Sequence, residues 1–217
     1  MISIGERLMQ VVSMVPPCQK MADIGTDHGY VPAWLLAHKV CQAAIASDIA
    51  EGPCSAAQET RQRYQLQDRM EIRQAPGLQG LNPGEVQAVV IAGMGGATIR
   101  TILEECPEIT NTVETFILQP MNAASLVRKW AVANGYRIAE ETLCREQGRY
   151  YVIIRLAAGQ ESTVLSDFEA EIGPCILHKA VYFQKVCTQM ERSRTAFHSE
   201  KYQLLQSYCR RIEEVVS

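Results

Sequence analysis

The stretch Ala22–Tyr30 reads ADIGTDHGY. An apolar run ends at Asp23, and Gly25, Thr26, Asp27, His28, Gly29 and Tyr30 follow within seven positions. The spacing D-x-G-x-x-x-G is that of a glycine-rich loop after a strand. Gly25 permits a tight turn and close backbone approach, and Gly29 opens a helix whose N-terminus favours negative charge, a diphosphate or a carboxylate alike. The polar middle, Thr26-Asp27-His28, stands where such loops carry small residues. A metal site built from Asp23, Asp27 and His28 is the weaker reading, because Asp23 sits inside the strand pattern and one histidine with two carboxylates lacks further ligands. The eight cysteines form no C-x-x-C pair, so no metal is expected.

Three further loop-like stretches carry chemistry. Asp48-Ile49 ends a second apolar run about twenty residues after the loop, where an acid accepts hydrogen bonds from ribose hydroxyls. Ala75-Pro76-Gly77-Leu78 ends a third, and IAGMGG (91–96), with Gly93 and Met94, ends a fourth. In open α/β sheets ligands bind at the carboxyl ends of strands near the switch in strand order. A glycine loop plus a ribose-type acid favours a nucleoside cofactor. The missing G-x-G-x-x-G spacing argues against a dinucleotide and for S-adenosylmethionine.

These ends need a scaffold, and the hydrophobic pattern predicts one. Helices are expected over 2–15, 31–40, 51–65, 97–106 and 124–135, the last closed by Gly135. Strands are expected from Lys20 to Gly25 and over 43–49, 70–75, 86–96 and 115–120, with 86–96 apolar enough to be buried on both faces. YRIAEETLCRE and GRYYVIIRL read as two more strands joined at Gln147-Gly148. The alternation predicts an α/β fold, a Rossmann-like class I methyltransferase sheet with helices on both faces and an antiparallel final hairpin. Beyond Leu156 the texture changes. Ile176, Ala180, Phe183, Cys187 and Met190, then Leu205, Tyr208, Ile212 and Val215, keep coiled-coil spacing. Arg194 and Lys201 interrupt the seam, which predicts a C-terminal α-helical, coiled-coil-like extension, either two antiparallel helices turning near 193–199 or one long kinked helix. The expected domains are 1–157 and 158–217.

The 217 residues carry a net charge of −3, unevenly spread. Residues 1–175 hold 14 Lys/Arg against 20 Asp/Glu, and residues 176–217 hold 7 against 4. A polyanion-binding face is therefore expected on the tail rather than the body. No apolar run reaches the ~18 residues of a membrane span. The N-terminus lacks a basic start and carries Glu6 inside its apolar pattern, so a cytoplasmic protein with reduced thiols is expected, without a membrane.

ADIGTDHGYVP, AEGPCSAA, Gly77-Leu78, IAGMGG, ILQPMN, RKWAVANGY and FEAEIGP occur in that order. Together they resemble the bacterial tRNA adenine-N1 methyltransferase family acting on position 22, the TrmK family, over nearly the whole chain. The resemblance implies a methyltransferase domain with a helical extension, S-adenosylmethionine as donor and tRNA as acceptor. It places Asp23, Gly25, Asp27, His28, Gly29, Asp48, Gly77, Leu78, Gly93 and Met94 at the cofactor, and their neighbours Thr26, Ile49 and Ala75 in the same strand-end loops are expected to join them. The resemblance places Tyr30, Gln119, Pro120 and Asn122 facing the target base. The chemistry adds Asp27, a candidate acceptor for the base's N6 amine, so the expected catalytic residues are Asp27, Tyr30, Gln119 and Asn122. Two positions depart from the family pattern. Met121 stands where an asparagine follows the Gln-Pro pair, with Asn122 able to supply the amide. Pro76, with neither N–H nor side-chain acceptor, stands where Asn or Asp precedes Gly-Leu. Each residue also has a plainer reading: His28 as a cap, Asp27 and Asp23 as loop supports, Tyr30 and Met94 as packing, and the basic tail as a solvated face. The rival functions are a methyltransferase with another acceptor and a non-catalytic cofactor-binding protein whose tail mediates contacts. A monomer is the expected state.

Overall fold

The computed structural model describes residues 2–159, 164–177 and 203. Seven strands form one sheet in the order β3-β2-β1-β4-β5-β7-β6. They are β1 (Cys18–Ile24), β2 (Cys41–Asp48), β3 (Met70–Gln74), β4 (Ala88–Met94), β5 (Thr115–Pro120), β6 (Tyr136–Glu146) and β7 (Arg149–Ala158). The first five are parallel, and β7 inserts antiparallel between β5 and β6. This is the Rossmann-like methyltransferase arrangement expected. The hairpin that makes it possible turns at Gln147 and Gly148, φ +50° and +78°, the two left-handed residues of a type I′ turn.

Period-two alternation sorts the sheet's side chains into two cores. Ala22, Ile24, Val89, Ile91, Phe116 and Leu118 face one side, where α4 (Gly96–Glu105), α5 (Pro107–Thr110) and α6 (Ala124–Ala133) pack Ile99, Ile109 and Trp130 against them. Met21, Ala44, Ala46, Val90 and Ile117 face the other, covered by α1 (Glu6–Ser13), α2 (Tyr30–Ala37) and α3 (Glu51–Arg63). All six residues of β5 are buried, as a central strand requires. Helix α5 falls where no element was expected. The phenol of Tyr136 donates to the carbonyls of Thr110 and Val113 at 2.6 and 2.8 Å, so a distant side chain fixes it.

After β7, α7 (Asp167–Ile172) begins with a capping box between Ser166 and Glu169 and lies against α6. Residues 174–177 start another helix, with Ile176 buried. The other seam positions, Ala180 to Met190 and Leu205 to Val215, lie outside the described residues, as do Arg194 and Lys201. Among the described residues no helix is long and apolar enough to cross a membrane.

Candidate functional site

From β1 the chain runs outward to β2 and β3, then returns to β4 on the other side. The strand order reverses between β1 and β4, so a crevice is expected at their carboxyl ends. Two adjoining clefts open there, of about 350 and 500 Å³. They share Gly25, Asp48 and Met94.

The β1–α2 loop forms the floor. Gly25 has φ +74°, and a Cβ there would collide with the Met94 methyl. The Met94 methyl is the end of a flexible side chain and can swing aside, so it is the left-handed backbone at Gly25 that favours glycine. The Gly25 and Thr26 amides both donate to the Ser47 carbonyl, at 2.8 and 3.1 Å, which ties the loop to the end of β2. Asp27 also has positive φ, +51°, a conformation Asp tolerates better than most residues. Gly29, φ +69°, leads directly into α2 at Tyr30.

The smaller cleft is the polar one. Arg7, Asp23, Thr26, Asp27, His28, Tyr30, Asp48 and Gly93 line it. Asp23 is buried and accepts from the Thr26 hydroxyl at 2.7 Å. Burial, reinforced by the Asp48 charge and opposed by the Thr26 hydrogen bond, pushes its carboxyl up to about 7. Asp48 holds the backbone of the next turn, accepting from the Ala50 amide at 2.9 Å. At the mouth, His28 lies 3.5 Å from the Asp27 carboxylate and stacks on Tyr30 with ring centroids 5.3 Å apart.

The larger cleft is mostly apolar. Ile24, Ile49, Ala75, Pro76, Gly77, Ala97 and Ile102 line it, with Asp48 at its edge. Ile49 is 68% exposed, an apolar side chain that a bound ring would cover. The loop bearing Pro76 and Gly77 is held by charge. Arg73 donates to the Gly80 carbonyl at 2.6 Å and pairs with Glu85, also at 2.6 Å, while Lys20 joins Glu85 at 2.7 Å. These cations hold the Glu85 carboxyl well below the usual carboxylate range. The combination fits S-adenosylmethionine. An apolar slot suits adenine, an acid at its edge suits the ribose, a polar lobe suits the amino-acid end, and the left-handed turn at Gly25 brings backbone close to the crevice.

Not every expected residue reaches these clefts. Leu78 is fully buried in the core beside the α4 face, because its one-turn loop points the apolar side chain inward. Gln119 is fully buried too. Its Oε1 accepts from Arg7 Nη1 at 2.7 Å and from the Gly93 amide at 3.1 Å, and its Nε2 donates to the Pro120 carbonyl at 3.0 Å. It braces a bulge between Ala92 and Met94. Asn122 is exposed, and its Oδ1 accepts from the Gly96 amide at 3.3 Å. Met121 is 45% exposed. Among the described residues no group of three His, Cys, Asp or Glu could hold a metal ion. Arg7 was missed by sequence reasoning. A lone arginine on the polar side of an amphipathic helix looks like any solvated cation, and its partners lie more than a hundred residues away.

Comparison with known proteins gives consistent matches. A family described as "Methyltransferase domain" matches residues 4–154. A Bacillus subtilis protein named tRNA (adenine(22)-N(1))-methyltransferase is 29% identical over 202 residues, 90% of this chain and 85% of its own length. The crystal structure of Streptococcus pneumoniae Sp1610, a candidate tRNA (m1A22) methyltransferase in complex with S-adenosyl-L-methionine, shares 32% identity. It matches with a TM-score of 0.79 over 99% of this chain and 100% of that one. The crystal structure of the B. subtilis m1A22 tRNA methyltransferase TrmK matches at 26% identity and a TM-score of 0.76, over 100% of both chains.

Proposed function

The chain belongs to the tRNA (m1A22) methyltransferase family, with its methyltransferase domain over residues 4–154, and from that premise we propose that it methylates N1 of adenine 22 in tRNA from S-adenosylmethionine. The observation that carries the reading is the paired cleft at the switch in strand order, apolar on one side of Met94 and polar on the other.

When bound, the cofactor supplies an electrophilic methyl group on a sulfonium. The protein's own work is binding and orientation. Adenine N1 keeps a free lone pair at neutral pH, so no strong base is needed. The base must leave its stack and be held in line, with the developing positive charge compensated. Asp27, exposed at the mouth of the polar lobe, is the acceptor for the base's N6 amine, which acidifies as charge develops. Tyr30, backed by His28, offers a face for stacking or for a cation–π contact. Asn122 and Met121 stand exposed after β5, where the amide can meet a base edge. Gln119 acts from beneath, through the Gly93 bulge. Asp48 takes the ribose, and Ile49, Ala75, Gly77 and Met94 enclose the ring. The catalytic unit is residues 1–157. Residues 158–217 form the tRNA-gripping extension of a cytoplasmic monomer.

The test is to incubate the protein with unmodified tRNA carrying adenine at position 22, and with the same tRNA carrying guanine there, and to identify the nucleosides. 1-Methyladenosine should appear only in the first. Asp27→Ala should lower transfer by more than it lowers cofactor affinity. Product in both tRNAs would overturn the position. Product in neither would overturn the acceptor class and leave a small-molecule or protein acceptor, which the net charge of −3 would suit, or a non-catalytic binder.

A further inference from the structure

We infer that the tip of the β6–β7 hairpin is a tRNA contact separate from the tail, in which Arg145 and Arg149 hold backbone phosphates beside the target nucleotide. The inference rests on the proposed tRNA acceptor and adds to it a surface on the body of the molecule. Strand β7 pairs with β5 as far as Ile154, opposite Leu118. Beyond that point β6 and β7 go on pairing with each other, to Glu146 and Arg149. The same register sets Pro120, the end of β5, level with Val152. At about 3.3 Å per residue, the ribbon therefore runs about 10 Å past β5. Because β7 is antiparallel to β5, this overhang stands at the carboxyl ends of the parallel strands, the edge on which both clefts open. Arg7 joins the two. It lines the polar cleft, its backbone amide donates to Glu146 Oε1 at 3.1 Å, and its guanidinium carbon lies 5.7 Å from the Tyr151 ring centre.

Residues 144–151 read CREQGRYY. Their one acid, Glu146, is matched by Arg7, whose Nε lies 3.7 Å from its Oε2. Arg145, Gln147, Gly148 and Arg149 are all exposed. Strand alternation sends Arg145, opposite Tyr150, to one face of the ribbon and Arg149, opposite Glu146, to the other. The Arg145 guanidinium carbon lies over the Tyr150 ring, 5.4 Å from its centre, which limits the rotamer freedom it would lose on binding. A base drawn out of a stacked helix carries its flanking phosphates to the rim of the pocket that receives it. The polar cleft presents Asp27 at its mouth, and residues 1–175 hold 14 Lys/Arg against 20 Asp/Glu. Phosphates at that rim therefore need local cations. The hairpin brings two guanidinium forks, whose paired N–H donors match phosphate oxygens.

Filter binding of unmodified tRNA to the full chain across a salt series tests this, with Arg145→Gln/Arg149→Gln and Arg145→Lys/Arg149→Lys. The glutamine pair should weaken tRNA binding about tenfold at low salt. It should also make the logarithmic salt slope shallower by roughly 1.4–1.8. The lysine pair should keep the wild-type slope, because its charge remains. S-adenosylhomocysteine affinity, read by calorimetry, should stay at the wild-type value in both. A benzophenone side chain in place of Gln147 should crosslink to tRNA beside adenine 22, as mapped by primer extension. Wild-type slope and affinity in the glutamine pair would overturn the inference. So would a crosslink far from adenine 22, or one to a second copy of the protein, which would make the tip a protein contact. Loss of S-adenosylhomocysteine affinity along with tRNA affinity would also overturn it, leaving the arginines as supports of the fold. If wild type neither binds nor methylates tRNA, the acceptor reading itself fails, and that is seen before any substitution is made.

Discussion

At the scale of single residues, the site is organised around a carboxyl group that burial keeps from ionising easily. Asp23 stands 4% exposed at the end of β1, and its carboxyl is pushed up to about 7. In the unfolded chain the same group titrates near its ordinary value, about 3.9. Between these values the folded protein holds a proton that the unfolded chain has released. Stability from this group is therefore fully present below about pH 4 and lost as pH rises through about 7. Asp23→Asn keeps the shape and removes the charge. Without ligand, it should raise stability by about 1–2 kcal/mol near pH 5 and by about 4 kcal/mol at pH 8.5. Urea unfolding of both proteins at the two pH values measures this. An equal difference at both would mean that Asp23 carries no linked proton. A wild-type residue that destabilises its own fold at physiological pH is expected at a binding site, where the gain comes with the ligand.

At the scale of elements, one buried ion pair joins the sheet to the helices beyond β7. Arg128 on α6 and Glu141 on β6 meet at 2.6 Å, with side chains 1% and 0% exposed. Arg128 also donates to the Ala170 and Glu171 carbonyls at 2.8 Å each, orphan acceptors in the last turn of α7. Glu141 accepts from the Cys175 amide at 3.0 Å, in the first turn of the next helix. The pair thus caps the end of one helix and the start of another. Arg128→Met removes the cation beside a buried carboxylate and uncaps α7, which should cost about 3–5 kcal/mol. The double variant Arg128→Met/Glu141→Gln should recover part of that loss in urea denaturation. No recovery would place the cost in the caps alone. This pair was illegible in the sequence, where Arg128 and Glu141 look like two more surface charges. What was legible had a local cause. The strand ends carried their glycines and acids in short runs, the hairpin carried Gln147-Gly148, and β5 stopped at Pro120. What was not had a distant cause. Helix α5 has its end held by the Tyr136 hydroxyl, Gln119 hydrogen-bonds Arg7 and the Gly93 amide, and Leu78 turns inward into the core. Strand β1 begins at Cys18 rather than Lys20, because its polar opening is held by pairing with β2 and not by apolar character.

At the scale of the whole molecule, charge is unevenly spread along the chain. The body that forms the cofactor clefts is acidic, 14 basic against 20 acidic residues over 1–175, and the tail is basic, 7 against 4 over 176–217. An acidic body repels a polyanion, and that repulsion favours contact through the tail. If the tail grips tRNA through phosphates, binding releases counterions, and the logarithm of affinity falls linearly with the logarithm of salt concentration. Reversing Arg210 and Arg211 to glutamate removes two such contacts. The slope should become shallower by roughly 1.4–1.8, and affinity at low salt should drop, while S-adenosylhomocysteine affinity stays at the wild-type value. Filter binding across a salt series, with calorimetry for the cofactor, separates these effects. An unchanged slope would remove the tail from the interface and return tRNA binding to the body. The acidic cleft would then have to be offset by Arg7 and the other cations of residues 1–175, and the salt slope of Arg7→Met would measure that share.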